Sequence, residues 1–447
     1  MKYLKFLIFI SVFLLPLHAF FITVMKCKFD INTDIIRFWK EILIIILIIW
    51  VFFTTYAKNN WSLWQIYKNN TLLGLTTAFI CCSAIYIFFP FFELKAAAVL
   101  WFRYDAFFLI AMIIWLYAGL SQTDLRYLLR NLFIVTMAIL GVFLPWYIFG
   151  DISALAWMFW YSSEVSTYTA NQCISFSQNV NGQHRFQGTF GGPIRFSVFL
   201  TIVGSLFAGW IFSTQRFSNL QKKWLLWIFL TFIFLAIFFS YSKTSILGWL
   251  FAITCFSFLT HKYVYRKKLT KKFYSILWAI ITLPIVLVAL FKWELFLHLG
   301  SVINRLENIG KSIEMFFYNP IGYGLGIAGP ASQIGNSIES AGDWIIATNT
   351  TQTVHKFLPE NWYIQILLEQ GIVGFSLFMS LIIVIWYYLI EHLKKHRDFL
   401  SVGIATAYFA LCFMALFTHA FEEAATSYIL FLIIGIHLSY KMREKHT

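Results

Sequence analysis

Four separated stretches of this sequence hold cations, glycines and carboxylates at spacings that could do chemistry. In "HRFQGTFGGPIRFSVFL", residues 184–200, Arg185 precedes a glycine-rich turn (Gly188, Gly191, Gly192, Pro193) that opens an apolar helix, and Arg195 lies two residues further in. Backbone amides at a helix start, joined by a guanidinium, suit an anionic group. The competing reading is that Arg185 and Arg195 only anchor the helix at a lipid interface. In "FFSYSKTSILGWL", residues 238–250, a hairpin of two apolar runs carries Ser240, Ser242, Lys243 and Ser245 at its tip. Lys243 suits a phosphate or substrate contact there, or else it snorkels to the interface. The third stretch, "INRLENIGKSIEMFFYNPIGYGLG", reads as a short amphipathic helix around Arg305 followed by a turn with Pro320, Gly322 and Gly324, whose glycines permit close backbone approach to a ligand.

The fourth stretch, "PENWYIQILLEQG", begins at Pro359. A helix starting near Asn361 places Asn361, Gln365 and Glu369 on one face at four-residue spacing. That stripe cannot face lipid, because an ionised residue at mid-membrane costs roughly 2.5–3.5 kcal/mol on insertion scales. It must face a cavity or other helices. Glu360, at the helix mouth, is placed either to cap the helix or to take a proton from a bound hydroxyl. Glu422 and Glu423 are further carboxylates expected on the same side, read as solvated loop residues. No outer segment carries a DxD, HExxH or GxSxG pattern, so neither a metal nor a serine nucleophile is expected, and no cofactor is implied.

The elements that must position these residues follow from composition. Of 447 residues, 60% are hydrophobic and 12% charged, the balance of a polytopic membrane protein rather than of two or three soluble domains. About twelve apolar runs are long enough to span a bilayer as helices. They fall near 4–25, 41–57, 71–91, 105–120, 131–149, 192–212, 223–239, 244–260, 273–291, 361–390, 399–419 and 426–440. The predicted fold is therefore an all-α integral membrane protein with a long outer loop between helices nine and ten. It divides into helices one to five (1–149), a loop and helices six to nine (150–291), the long loop (292–359) and helices ten to twelve (360–447).

The net charge of +14 does not point to nucleic acid, because the Lys and Arg concentrate in alternate short loops, most densely in "HKYVYRKKLTKK" at 261–272. One loop disagrees with that orientation: residues 26–40 carry Lys26, Lys28, Arg37 and Lys40 on the expected outer side. The N-terminal run reads as an anchor, since no small-residue cleavage site follows it clearly. Cys81, Cys82, Cys255 and Cys412 lie inside apolar runs as packing residues, while Cys27 and Cys173 fall in outer loops.

In their order along the chain, the four stretches resemble the O-antigen ligase and polymerase superfamily of multi-spanning lipid-linked glycan transferases. The matching residues are Arg185 to Gly188 for an Arg-x-x-Gly, Ser242 with Lys243 in place of a Ser-Arg tip, and Arg305 upstream of Pro320-Ile321-Gly322-Tyr323-Gly324-Leu325-Gly326. Glu360-Asn361 then stands where the family carries His-Asn or a variant, and Glu369-Gln370-Gly371-Ile372-Val373-Gly374 matches its Glu-x-Gly-x-x-Gly helix. The resemblance covers roughly residues 180–380.

This resemblance implies an enzyme of the cell inner membrane with a periplasmic active face. Its donor would be an undecaprenyl-diphosphate-linked glycan and its acceptor a second lipid-linked unit, with a chain-length regulator as a further partner. Catalysis would be metal-independent and inverting, with Arg185 and Arg305 on the departing diphosphate and Glu360 orienting or deprotonating the acceptor hydroxyl. Lys243, Ser242, Arg195, Asn361, Gly322, Gly324, Glu369 and His355 would bind substrate. Ligases, which join the glycan to lipid A-core, are expected to carry His where this chain has Glu360, which favours a polymerase; His355, five residues upstream, keeps the ligase open. A transporter or flippase of lipid-linked sugars is the competing class, and it would spread its polar groups through the bundle rather than gather them at one face.

Overall fold

A computed structural model describes residues 2–29, 31–33, 36–59, 70–88, 95–118, 120–150, 177–180, 183–214, 219–266, 299–326, 328, 344–345, 353–354 and 359–444. The described chain is helical apart from two antiparallel strand pairs. It opens with α1 (Lys2–Leu14), a 3-10 turn at Leu15–Leu17 and α2 (His18–Phe29), followed by α3 (Trp39–Asn59), α4 (Thr71–Tyr86), α5 (Lys95–Tyr117) and α6 (Gln122–Phe149). Strands β1 (Ser177–Val180) and β2 (Gln183–Phe186) pair with Gln178 opposite Arg185. Then come α7 (Pro193–Ser213), α8 (Asn219–Phe239), α9 (Lys243–Leu259) and α10 (Leu299–Tyr318), and two residues each of β3 (Trp344–Ile345) and β4 (Thr353–Val354). The chain closes with α11 (Trp362–His396), α12 (Phe399–Met414) and α13 (Ala424–Glu444).

Local chemistry sets many of these boundaries. Asn70 caps α4 by accepting from the Leu73 amide, and Ser121 with Asp124 closes a capping box at the start of α6. α6 therefore begins well before the apolar run expected at 131–149. Pro16 explains the break in the first run: it sits at the start of the 3-10 turn between α1 and α2. α5 also starts earlier than the expected 105–120, and it brings Arg103 and Asp105 into the bundle. Those charges hide the helix from a hydropathy reading, yet both are partnered. Arg103 lies over the Tyr104 ring at 4.4 Å, and the Asp105 carboxylate accepts from the Gln370 amide at 2.7 Å.

Five stretches are long and apolar enough to cross a membrane, and four shorter apolar helices pack among them. The expected run at 273–291 and most of the loop at 150–191, Cys173 included, lie outside the described residues. Elsewhere the predicted runs fall on helices. The outer faces behave as lipid-facing surfaces do: on α3, Ile42, Ile45, Ile46, Ile49 and Phe53 form an exposed apolar stripe at helical spacing. Water would not tolerate such a stripe on a monomer. The architecture is that of an all-α, multi-pass membrane protein.

Inside, α7 packs along α12 and α5 along α13. The α7–α12 crossing is close because glycines meet: a Cβ on Gly209 would stand 2.8 Å from the Gly403 Cα. Around it Phe196, Phe199, Phe207, Tyr408, Phe421 and Phe431 are fully buried or nearly so. This dense half of the bundle is the support on which α9, α11 and the turns at one end are held.

Candidate functional site

The site grows from one end of the bundle, where α6 and α8 end and α7, α9, α11 and α13 begin. Arg185 reaches this end on β2. Its Nε donates to the Ser240 carbonyl at 2.9 Å and its Nη2 to the Tyr241 carbonyl at 3.4 Å, so the guanidinium sits on the tip between α8 and α9. The anchor beneath it is aromatic: Phe186 packs edge-on against Phe196 and beside Tyr147. Gly188 follows in left-handed backbone (φ +54°), where a Cβ would press within 2.8 Å of the Phe196 ring. Thr189 then donates to the Pro16 carbonyl at 2.8 Å, tying the turn to the N-terminal helices.

At the tip, Ser242 caps α9, accepting from the Ser245 amide at 3.3 Å, and its hydroxyl joins a chain of Ser245 and Ser197 at 2.9 and 2.5 Å. Ser242 thus shapes the tip from a buried position. The next residue, Lys243, lies within electrostatic reach of Arg305 on α10. Arg305 forms an ion pair with Glu360, each side chain about one-third exposed (33% and 35%). Glu360 does not cap α11. It holds left-handed backbone (φ +47°), as does Tyr241 (φ +49°), a conformation costly for residues with a Cβ and adopted here at the turns that carry the partners of Arg305 and Arg185.

A second ion pair stands alongside. Arg195, on the first turn of α7, lies 3.5 Å from Glu423 at the head of α13. Between the pairs sits His419, within electrostatic reach of both Arg195 and Arg305. Its Nδ1 is 2.6 Å from the Gln365 Oε1, so the imidazole donates there; the Gln365 amide in turn donates to Glu422 at 3.4 Å. Burial, with the two arginines adding to it, lowers the His419 pKa to about 3, and burial pushes the Glu422 carboxyl up to about 8. At neutral pH this inner group is mostly uncharged. The reading of Glu422 as a solvated loop residue is corrected: the 3-10 turn Ala420–Glu422 folds it into the bundle end, 8% exposed.

The capping role belongs to Asn361. Its Oδ1 accepts from the Tyr363 and Ile364 amides at 2.9 and 3.1 Å, and its Nδ2 donates to the Leu416 carbonyl at 2.9 Å. One helical stripe further, Glu369 is 1% exposed and accepts from the Gly326 and Ala328 amides at 3.0 and 3.2 Å. The helix is broken there. Gly371 (φ +61°, ψ −165°) interrupts α11, and the freed carbonyls of Leu368 and Glu369 accept from the Tyr323 and Gly324 amides, both at 2.9 Å, while the Ile372 amide donates to the Pro320 carbonyl. Irregular backbone inside a bundle survives only when its polar groups are satisfied in this way. The close approach that Gly322 permits is to α11: a Cβ on it would stand 2.5 Å from the Gly371 nitrogen. Gly324 likewise gives its amide to the helix rather than presenting it outward.

The structure thus brings Arg185, Lys243, Arg305, Glu360 and Arg195 to one end of the bundle and places Ser242, Asn361, Gly322, Gly324 and Glu369 in its supports. His355 lies outside the described residues. The polar stripe Asn361–Gln365–Glu369 faces helices and turns, one of the two choices open to it. Sequence reasoning passed over Asp105, which receives the Gln370 amide while Ser83 donates to the Gln370 Oε1 at 3.0 Å, and Tyr86, whose hydroxyl donates to the Ile321 carbonyl. It passed over His419 as well. The signal for Asp105 was present, an acidic residue among apolar ones.

Comparison with known proteins gives one family. Residues 194–379 match the family model described as O-antigen ligase. Among curated proteins there is no significant match.

Proposed function

We propose, from the premise that this chain carries an O-antigen ligase family domain over residues 194–379, that it is an O-antigen or related surface-polysaccharide polymerase. It transfers an undecaprenyl-diphosphate-linked glycan to a sugar hydroxyl of another lipid-linked repeat unit. The work is done at the periplasmic face of the inner membrane, where a chain-length regulator would meet it.

The observation that carries this reading is the Arg305–Glu360 ion pair beside Lys243, on a tip that Arg185 clasps. The pair holds a cation for the leaving group and a base for the nucleophile in one place. An incoming diphosphate carries more charge than a carboxylate and competes for Arg305, which releases Glu360. The acceptor oxygen then attacks the anomeric carbon, its proton passes to Glu360, and the carbon–oxygen bond to the diphosphate breaks with its electron pair leaving on phosphate. A single displacement inverts the anomeric centre. Arg305, Lys243 and, through the tip, Arg185 stabilise the charge that develops on the diphosphate. Charge-assisted hydrogen bonds contribute about 1.5–3 kcal/mol each, so two or three lower the barrier substantially.

Ligation to lipid A-core is the second reading, and His419 favours it. An imidazole stands within reach of both Arg195 and Arg305, and ligases resembling this chain are expected to use His where it has Glu360. Glycan profiling of a deletion strain decides between them. Single capped units remaining after loss of long chains support the polymerase; complete loss of attached glycan, with lipid-linked polymer accumulating, supports the ligase. Normally inserted Arg185→Ala and Arg305→Ala proteins that still make full-length polymer would overturn the polymerase reading, and the same proteins still attaching full-length glycan to lipid A-core would overturn the ligase reading.

A further inference from the structure

The basic loop at 26–40, which fits poorly with the charge pattern of the other loops, leads into a second cationic cluster in the N-terminal helices. Arg37 lies in the 3-10 turn Ile36–Phe38, Lys40 and Glu41 open α3, Arg103 projects from α5, and His18 opens α2. Arg37, Lys40 and Arg103 all lie within electrostatic reach of His18. The Lys40 Nζ and Arg103 Nε approach the same oxygen of Glu41, each at 3.4 Å, too long for a charge-assisted hydrogen bond. Among the described residues neither Glu41 oxygen nor the Arg103 Nε has a hydrogen-bond partner.

The hydrogen-bond logic of His18 is more pointed. The Trp39 indole N–H can only donate, and it lies 2.8 Å from the His18 Nδ1, so Nδ1 is the acceptor and Nε2 carries the hydrogen. Yet Nε2 faces the Lys40 ammonium at 3.2 Å. Two donors therefore converge beside a guanidinium, the Lys40 ammonium also donating to the Arg37 carbonyl at 3.2 Å. An acceptor anion lodged among them turns this opposition into hydrogen bonds, and it gives Lys40 and Arg103, which share one Glu41 oxygen at 3.4 Å, a closer acceptor. The cluster also adjoins the site above: Lys40 is within electrostatic reach of Glu423, the partner of Arg195.

We infer that Lys40, Arg103 and the His18 Nε2–H form a second anion subsite, which takes the phosphate-bearing headgroup of the acceptor lipid while Arg305 and Lys243 take that of the donor. This assignment rests on the polymerase reading, in which both substrates are lipid diphosphates. The two faces of α5 diverge: Trp101 and Asp105 face the turn and α11, whereas Arg103 points to the other side, towards α3.

The test is titration of the full-length protein in lipid nanodiscs with farnesyl diphosphate. Two sites are expected in the wild type. Lys40→Gln/Arg103→Gln should lose one, with affinity there falling at least about tenfold for the lost charge-assisted contacts, and Arg305→Gln should lose the other. Should the double variant fail to insert, Arg103→Gln alone carries the same expectation. Retention of both sites in an inserted variant overturns the subsite. Inorganic pyrophosphate binding there as tightly as farnesyl diphosphate overturns its assignment to a lipid headgroup. Polymer made by Arg305→Gln protein would instead sink the polymerase reading, while the number of binding sites still reports on Lys40 and Arg103.

Discussion

Glu360 and Glu369 stand on the same short stretch of chain and do opposite work. Glu360 is one-third exposed, held in left-handed backbone and paired with an arginine from another element; Glu369 is sealed in the bundle and spends its carboxylate on two backbone amides of the turn that docks on α11. The first arrangement leaves both partners accessible, as the proposed exchange for a substrate anion requires. The second is committed, because giving it up would strip the Gly326 and Ala328 amides of the acceptor they share. Residue type alone does not mark a catalytic carboxylate; what its partners can do without it does.

Breaking the buried side of this comparison should have the largest effect. Glu369→Ala leaves two buried amides without their acceptor and should cost about 3 kcal/mol or more, seen as loss of monodisperse protein in detergent. Gly371→Ala should be comparably severe, since a Cβ at that left-handed position collides with the Ile321 carbonyl. Glu369→Gln keeps one acceptor oxygen and should recover part of the loss.

Breaking the exposed side should leave the fold standing. Glu360→Ala and Arg305→Ala are expected to change stability by under about 1 kcal/mol, the scale of a solvent-accessible ion pair, while polymer formation falls by about a hundredfold or more. Equal thermal midpoints with collapsed polymer yield would bear this out; a matching loss of stability would assign Glu360 to architecture beside Glu369. Lys243→Ala should cost about tenfold in polymer yield, and Lys243→Arg should restore it.

A pH dependence sharpens the comparison with a third carboxylate. Glu422 holds its proton to about pH 8 in the folded protein, against an ordinary 4.5, so the native state binds more protons across that window and its stability falls as pH rises from about 4.5 to 8. Glu422→Gln should flatten that slope. An unchanged slope in thermal melts at pH 5, 6.5 and 8 would show that Glu422 is ionised in the folded state.

Much of the helical order was legible because lipid imposes a single requirement, a run of apolar residues, on each span. α5 and α6 escaped in part, for the same physical reason: their first turns carry polar groups, neutralised by partners distant in sequence or by a local cap. The site was legible as a set of residues and less so as roles. Asn361 and Glu360 are adjacent, and sequence left capping open as one of two roles for Glu360, whereas Asn361 takes it. Gly322 and Gly324 were read as facing a ligand, whereas the backbone they approach is that of α11, some 45–50 residues onward.

By itself, the order of residues along this chain determined the membrane class, the helical periodicity and the supply of arginines, lysine and carboxylates, since hydrophobic run length and local capping act over a few turns. Only the tertiary structure decided which carboxylate meets Arg305, which is spent on backbone amides, and that Lys40 comes within electrostatic reach of Glu423. Pairing energies depend steeply on distance and burial, and both are set by packing between segments far apart in the chain.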